Sequence, residues 1–214
     1  MDIVEREGFV VLRNAVLIRE PLLEKIQNAT KKSRAIFNDN DHEGQDRLRK
    51  QASIALCPRD LPGFERVIQM VSSSPDSLNM EWVVLESLPG CQRQGAHVDY
   101  IPSTKKARHE NTAISHGCLL AVQDGTKLDV WPRAHRILVR DYSHDHGAIE
   151  RCTISLAKGD AVVFRADCVH AGAAYDEYNV RLHCYMDTDG MPHTTERVGR
   201  LKTLGLPEGA LSST

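Results

Sequence analysis

The segment HGCLLAVQDGTKLDVWP (residues 116–132) contains two apolar runs that flank Asp124-Gly125. An Asp-Gly pair between apolar runs is a strong signal for a tight turn between antiparallel strands, so the segment predicts a β-hairpin. The same pattern occurs in RCTISLAKGDAVVFRADCVHAG (151–172), where Lys158-Gly159-Asp160 supplies the turn between two strands. Short strands with regularly spaced turn residues are typical of a β-sandwich or a jelly roll.

Further strands are predicted on both sides of these two segments. MEWVVLESL (80–88) is rich in apolar and β-branched residues and is closed by Pro89 and Gly90. NVRLHCYMD (179–187) alternates between residue types, as a strand with one buried face does. The second half of the chain is therefore predicted to be mainly β.

The N-terminal third has a different pattern. GFVVLRNAV (8–16) predicts a short strand. REPLLEKIQNATKKSRAIF (19–37) predicts a helix with a proline in its first turn and an apolar stripe that extends to Ile36. The polar stretch NDNDHEGQDRLRKQ (38–51) predicts a loop, and LPGFERVIQMVSSS (61–74) predicts a second helix.

A chain of 214 residues is long enough for one domain with a sizeable core and short for two. We expect residues 1–214 to form a single domain with three parts. A mixed helical segment (1–78) leads into a jelly-roll core (79–187), with helices packed outside it, and a C-terminal tail (188–214) follows.

The composition is that of an ordinary globular protein, with 41% apolar residues, 26% charged residues and a net charge of −2. With this balance we expect no large basic surface for nucleic acid, although a local basic groove and a peptide or nucleic-acid partner stay open. MDIVEREGFVVLRNAV (1–16) carries charges where a signal peptide has its apolar region, and no long apolar run predicts a membrane span. The six cysteines form no C-x-x-C pair, so we expect reduced thiols in a cytoplasmic protein.

A possible metal site begins at QGAHVDY (94–100). Side chains two apart on a strand point to the same face, so His97 and Asp99 can meet one ion. His170, at the predicted end of an apolar strand and before small residues, is the best third ligand. Two imidazoles and one carboxylate form the facial arrangement that holds non-haem Fe(II). The alternatives are a solvated His-x-Asp pair and a histidine satisfied in the core.

Arg181 lies within the apolar strand NVRLHCYM (179–186). A buried guanidinium is costly unless an anion accompanies it, and its planar fork suits a carboxylate. Arg181 is therefore a candidate to bind the far carboxylate of a dicarboxylic co-substrate whose other end chelates the metal. A structural salt bridge with Asp176 or Glu177 is the alternative.

His97-x-Asp99, His170 and Arg181, in this order, resemble the Fe(II)- and 2-oxoglutarate-dependent dioxygenases, and most closely the phytanoyl-CoA dioxygenase-like branch. The resemblance implies a double-stranded β-helix, which is a cupin-like jelly roll. It implies that Fe(II) binds the two histidines and Asp99, and that 2-oxoglutarate chelates the iron and pairs with Arg181. Dioxygen would take the remaining position, and ascorbate would support the enzyme in vitro.

Three segments carry the resemblance. GFVVLRNAV (8–16) with the helix after it resembles the N-terminal start of that branch. LLAVQDGTKLDVWPRAHR (119–136) resembles its strand, turn and Pro-x-x-His loop, and GDAVVFRADCVHAGAAYDEYNVRLHCYM (159–186) its distal histidine and arginine segment. The implied reaction converts 2-oxoglutarate to succinate and CO₂ and hydroxylates a C–H bond.

Other candidate residues surround this set. His183 and Tyr185 share a strand face with Arg181 and are candidates to line the interior beside the co-substrate, or simply to fill it. The substrate candidates lie near the first ligands and near the predicted barrel mouth: Gln94, Tyr100, Trp131 and Arg133. Trp131 could instead close the core. The basic segment PSTKKARHENT (102–112) is either a lid or a solvated loop.

Three functions stay open at this level. The first is a hydroxylase of a small molecule, which the resemblance favours. The second is a peptidyl hydroxylase or a nucleobase or N-methyl demethylase of the same superfamily. The third is a cupin-like ligand-binding or sensor protein without turnover.

Overall fold

Two antiparallel sheets face each other in the computed structural model, which describes residues 3–36, 47–72, 78–99, 115–137, 149–188 and 199–200. The strands are β1 (Phe9–Leu12), β2 (Arg34–Ala35), β3 (Arg49–Ser53), β4 (Leu78–Ser87), β5 (His97–Val98), β6 (His116–Ala121), β7 (Thr126–Val130), β8 (Cys152–Leu156), β9 (Ala161–Arg165), β10 (His170–Gly172), β11 (Asn179–Thr188) and β12 (Gly199–Arg200). The α-helices are α1 (Ile3–Glu7), α2 (Glu20–Thr30), α3 (Glu65–Ile68) and α4 (Ala134–Ile137), and Pro58–Asp60 form a 3₁₀ turn.

The larger sheet has the strand order β1-β9-β6-β11-β4-β3-β2 and the smaller sheet has the order β12-β5-β10-β7-β8. An apolar core lies between them. It includes Leu119 and Val162 of the larger sheet and Leu128 and Ile154 of the smaller sheet. The predicted fold class, mainly β with flanking helices in a jelly-roll arrangement, is confirmed.

The predicted hairpin at Asp124-Gly125 is wrong, although the turn itself is present. β6 lies in the larger sheet and pairs with β9 and β11, whereas β7 lies in the smaller sheet and pairs with β8 and β10. The turn at Lys158-Gly159-Asp160 likewise carries the chain from β8 to β9 across the two sheets. Each turn lets successive strands face each other across the core, which buries more apolar surface than lying side by side on one sheet.

Helices α2 and α3 cover the outer face of the larger sheet. Leu22 and Ile26 of α2 are buried in one cluster with Val67 of α3 and with Val84 and Leu120 of the sheet. Leu22 and Ile26 are four apart, which places them on one face of the helix. The helix predicted for residues 19–37 is therefore present over the first part of that range, Glu20–Thr30.

Three predicted boundaries are wrong in this region. α2 ends at Thr30, and Ile36 lies after the edge strand β2, where its N–H bonds to the carbonyl of Arg49. Residues 49–51, predicted as loop, begin β3 because β3 pairs along β4. Within 61–74, the described α-helix covers only Glu65–Ile68. Pairing between strands distant in the sequence decides these boundaries, and local residue propensity does not predict such pairing.

All six cysteines are free thiols, as expected. Within the described part of the chain, no helix has the length and apolar character needed to cross a membrane.

Asp160 stabilises the corner between β8 and β9. Its carboxylate accepts hydrogen bonds from the backbone N–H groups of Asn14 (2.9 Å) and Ala157 (3.0 Å) and from the guanidinium of Arg13 (2.6 Å). Burial alone would raise the pKa of Asp160, but these hydrogen bonds outweigh burial and lower the pKa below its ordinary value. The carboxylate therefore contributes stability in its ionised form.

Replacing Asp160 with alanine is expected to lower the free energy of unfolding by about 1–3 kcal/mol, because the hydrogen bonds that its buried carboxylate accepts are lost. A group whose pKa is lowered by folding contributes stability above its unfolded pKa and loses it as the pH falls through the folded pKa. The difference between wild type and Asp160→Ala should therefore shrink below about pH 4. Urea unfolding at several pH values measures it, and a difference independent of pH would contradict this role.

Candidate metal centre

The structure brings His97, Asp99 and His170 together at one end of the space between the sheets. His97 lies on β5 and pairs directly with His170, the first residue of β10, and Asp99 follows β5. One potential ligand atom of each residue lies within 4.8 Å of the others. The prediction that His170 ends the preceding apolar strand is wrong. His170 begins a strand of its own, β10, in the opposite sheet.

Hydrogen bonds orient both imidazoles. Nδ1 of His97 lies 2.8 Å from the carbonyl oxygen of Gly95, and Nδ1 of His170 lies 3.0 Å from that of Cys168. A carbonyl only accepts, so each Nδ1 carries the proton and each Nε2 keeps its lone pair for a ligand. The Nε2 atoms of His97 and His170 lie 4.0 Å and 3.5 Å from the same oxygen of Asp99, Oδ1.

The burial of these groups suits a cation. Asp99 is 6% exposed and His170 is 5% exposed. Burial lowers the pKa of His170 to about 4, which keeps the ring neutral and able to coordinate metal at neutral pH. A buried carboxylate is costly unless a positive charge accompanies it. Two imidazole nitrogens and one carboxylate oxygen match the donor set that binds non-haem Fe(II).

Arg181 is buried on β11, with 4% of its surface exposed. It lies in the larger sheet, so it is not beside the strand of His170 but in the sheet that faces it. Its Nη1 donates to Oγ of Ser87 at 3.0 Å, and its Cζ lies 5.2 Å from the centre of the Tyr175 ring. Asp176 and Glu177, the partners in the alternative of a structural salt bridge, are exposed.

His183 and Tyr185 lie on the same strand face as Arg181, as alternation predicts. Nε2 of His183 lies 3.8 Å from Oδ2 of Asp99, and the rings of His183 and Tyr185 are 4.4 Å apart in an edge-to-face arrangement. The position of His183 puts it beside the carboxylate of the metal group. Tyr185 is half-buried next to it.

Among the substrate candidates that the structure describes, Gln94 lies against β10, the strand that begins with His170. Its Oε1 accepts a hydrogen bond from the N–H of Gly172 at 2.8 Å, and its own N–H donates to the carbonyl of Gly172 at 3.0 Å. Gln94 therefore connects the segment before β5 to the end of β10.

The structure gives Trp131 and Arg133 contacts away from the metal group. Trp131 is buried in an apolar cluster with Val98 and Val169, whose side chains alternate with the candidate ligands and lie on the other face of the smaller sheet. Arg133 is exposed and forms an ion pair with Glu7 of α1 at 2.8 Å. The placement of Trp131 agrees with the alternative that its side chain closes the core and does not contact a substrate. Tyr100 and the segment 102–112 lie outside the described residues.

Sequence reasoning missed Arg49, which is 1% exposed. Its Nη1 lies 3.3 Å from Oγ of Ser87, the hydroxyl that also accepts from Arg181. The surrounding sequence RLRKQ offers no local signal that separates Arg49 from the exposed Arg47, because both arginines flank Leu48 in an otherwise polar segment. A search for an arginine that alternates with apolar residues would not have found it.

No family model and no curated protein matches the chain. Solved structures do match. The epimerase SnoN in complex with Fe3+, alpha ketoglutarate and nogalamycin RO is 15% identical, covering 92% of this chain and 91% of that one, with a TM-score of 0.58. EvdO2 from Micromonospora carbonacea var. aurantiaca complexed with 2-oxoglutarate is 17% identical over 89% and 91%, with a TM-score of 0.54.

The chain has the fold of the 2-oxoglutarate-dependent non-haem iron enzymes. A Pseudomonas putida prolyl-4-hydroxylase has it too, at 11% identity over 87% of this chain and 96% of that one, with a TM-score of 0.55. The predicted superfamily fold is confirmed. None of these structures singles out the phytanoyl-CoA dioxygenase-like branch.

Proposed function

We propose that the protein is an Fe(II)- and 2-oxoglutarate-dependent dioxygenase that hydroxylates a C–H bond of a small molecule and converts 2-oxoglutarate to succinate and CO₂. The observation that carries the proposal is the cluster of His97, Asp99 and His170 inside this fold, with both Nε2 atoms facing Oδ1 of Asp99. Residues 1–214 would form this single domain in the cytoplasm.

Nε2 of His97, Nε2 of His170 and Oδ1 of Asp99 would hold the iron. Two histidines and one carboxylate would leave open positions on the ion for the co-substrate and dioxygen. When bound, the iron supplies the oxidising chemistry, with electrons from 2-oxoglutarate. The carbonyls of Gly95 and Cys168 hold the two rings in the ligand tautomer, and this orientation also raises ligand basicity.

Arg181 and Ser87 would bind the far carboxylate of 2-oxoglutarate. The guanidinium fork and the hydroxyl both donate to carboxylate oxygens, and such charge-assisted bonds are strong where water is excluded. The ring of Tyr175 supports the guanidinium from one side, and the N–H of Lys127 holds the Tyr175 hydroxyl at 2.7 Å.

Phe164 keeps the interior beside the ligands dry. Its ring centre lies 4.7 Å from that of His170 and 6.0 Å from that of His183. It belongs to the apolar cluster between the sheets, together with Val162 and Leu119. An apolar wall there would limit water access to the metal, which protects a reactive oxidant from side reactions.

The matching solved structures belong to enzymes with different reactions, so they do not decide which reaction occurs at the substrate carbon. SnoN is described as an epimerase, SnoK as a carbocyclase from nogalamycin biosynthesis and the Pseudomonas putida protein as a prolyl-4-hydroxylase. A small-molecule substrate agrees with the nogalamycin proteins and with the net charge of −2. Similarity to the prolyl hydroxylase supports a peptidyl substrate as the second candidate.

Purified protein supplied with Fe(II), ascorbate, 2-oxoglutarate and air is expected to form succinate slowly without substrate, and faster when a suitable small molecule is present. Mass spectrometry of succinate measures this reaction. The matched control replaces Fe(II) with Zn²⁺, which fits the same ligands but has no redox chemistry. A protein that binds Fe(II) and 2-oxoglutarate but forms no succinate with any candidate substrate would favour the cupin-like sensor.

A further inference from the structure

Arg49 contacts the two segments that flank the candidate metal ligands. Its Nη2 donates to the carbonyl of Gln92 at 2.7 Å, and Gln92 lies in the segment that leads into β5 and His97. The same nitrogen lies 3.2 Å from the carbonyl of Gly172 and 2.6 Å from that of Ala173, just after His170. One guanidinium therefore ties together the entry to β5 and the exit from β10.

Gly172 shows how closely Arg49 fits against β10. A Cβ atom at Gly172 would lie 2.6 Å from Nη1 of Arg49 and would also overlap Oε1 of Gln94. Real Cβ atoms essentially never approach other atoms so closely, so a side chain there would displace both groups. Gln94 bonds to both backbone polar groups of Gly172, which adds a second connection between the two segments.

Ser87 connects Arg49 to the proposed co-substrate pocket. Its hydroxyl oxygen lies 3.3 Å from Nη1 of Arg49 and 3.0 Å from Nη1 of Arg181. A hydroxyl has two lone pairs and can accept from both guanidinium groups at once. Two buried cations this close repel each other, so the pair is more stable when a carboxylate lies beside it.

We propose that Arg49 is a positioning residue that holds β5 and β10 in the register at which His97 and His170 face one metal ion, and that it links this register to Arg181 through Ser87. The inference rests on the metal site of the proposed function. In this role Arg49 acts through the backbone of the segments that carry the candidate ligands.

The test compares Co²⁺ affinity, measured from the visible absorption of the bound ion, in wild type and in Arg49→Met. The expected loss is about 10- to 100-fold, which is typical when a group that orients metal ligands is removed. The absorption band of bound Co²⁺ should also change shape, because the ligand geometry relaxes. Arg49→Lys should lose less affinity, since an ammonium can reach one carbonyl but not the carbonyls and Ser87 together.

Two controls separate positioning from general destabilisation. Leu22→Ala opens a cavity under α2 on the outer face of the larger sheet, and it should lower thermal stability while keeping Co²⁺ affinity within about twofold of wild type. Arg181→Met should weaken 2-oxoglutarate binding but keep Co²⁺ affinity. The proposal would be overturned if folded Arg49→Met had the Co²⁺ affinity and absorption spectrum of wild type. It would also be overturned if Arg49→Met lost no more Co²⁺ affinity than Leu22→Ala does.

Arg49→Lys and Gly172→Ala keep the proposal testable if Arg49→Met does not fold. Gly172→Ala leaves Arg49 in the chain but displaces it, so the same loss of Co²⁺ affinity is expected. Unchanged Co²⁺ affinity in both variants would overturn the proposal. The Co²⁺ measurements need no turnover, so a wild-type protein that binds Co²⁺ and forms no succinate would contradict the proposed function and not this inference.

Discussion

Replacing His170 with alanine is expected to abolish Fe(II) binding and 2-oxoglutarate turnover. The change removes one of three ligand atoms and leaves only His97 and Asp99, which do not hold a catalytic ion. The loss of Fe(II) or Co²⁺ affinity should exceed the roughly 10- to 100-fold loss that follows when a residue that orients a metal ligand is replaced. Anaerobic metal titration measures the affinity, and circular dichroism checks that the variant is folded.

His135 offers a matched control for this experiment. It is also a buried histidine, but its Nε2 lies 3.1 Å from the carbonyl of Glu5 in α1, and the described metal group does not include it. His135→Ala should lose stability and keep metal affinity within about twofold of wild type. Iron-dependent turnover retained by His170→Ala would mean that His170 is not a ligand.

Changing Arg181 to lysine is expected to weaken 2-oxoglutarate binding by about 10- to 100-fold with little effect on metal affinity. Lysine keeps the positive charge but loses the fork, and charge-assisted hydrogen bonds contribute roughly 1.5–3 kcal/mol each. A difference of about 1.4 kcal/mol corresponds to a factor of ten in affinity. Calorimetric titration of the Co²⁺-loaded protein with 2-oxoglutarate measures the effect without turnover.

The control for Arg181→Lys is Arg165→Lys. Arg165 is equally buried, but it pairs with Asp167 at 2.9 Å and with Glu5 of α1, outside the proposed co-substrate pocket. Arg165→Lys should therefore keep its 2-oxoglutarate affinity. If Arg181→Lys binds 2-oxoglutarate as tightly as wild type does, then Arg181 has a structural role and the proposed pocket is wrong.

The candidate site could be predicted because its residues follow strand geometry. His97 and Asp99 are two apart, so any strand places them on one face, and His170 and Arg181 each stand out beside small or apolar residues. The structure places all four inside the fold. Their roles as ligands and co-substrate anchor stay predictions until metal and 2-oxoglutarate binding are measured.

Arg49 and Ser87 could not be predicted in the same way. Ser87 is one serine at the end of a strand, and Arg49 lies in a polar run. Both stand out only through hydrogen-bond partners distant in the chain: Arg49 donates to the carbonyl of Ala173, and Ser87 accepts from Arg181. Trp131 and Arg133 were candidates because they lie near the predicted barrel mouth, yet the cluster around Val98 and the ion pair with Glu7 decide where their side chains lie.

The sequence by itself determined the strand-rich second half, the positions of the turns and the order of the four site residues, because side-chain alternation and turn chemistry are local properties. Only the tertiary structure decided which strands pair, that the turns at Asp124-Gly125 and Lys158-Gly159-Asp160 cross between sheets, and that Arg49 and Arg181 share the hydroxyl of Ser87. Hydrogen-bond partners between distant strands are chosen by the burial of the whole core, and no local pattern records that choice.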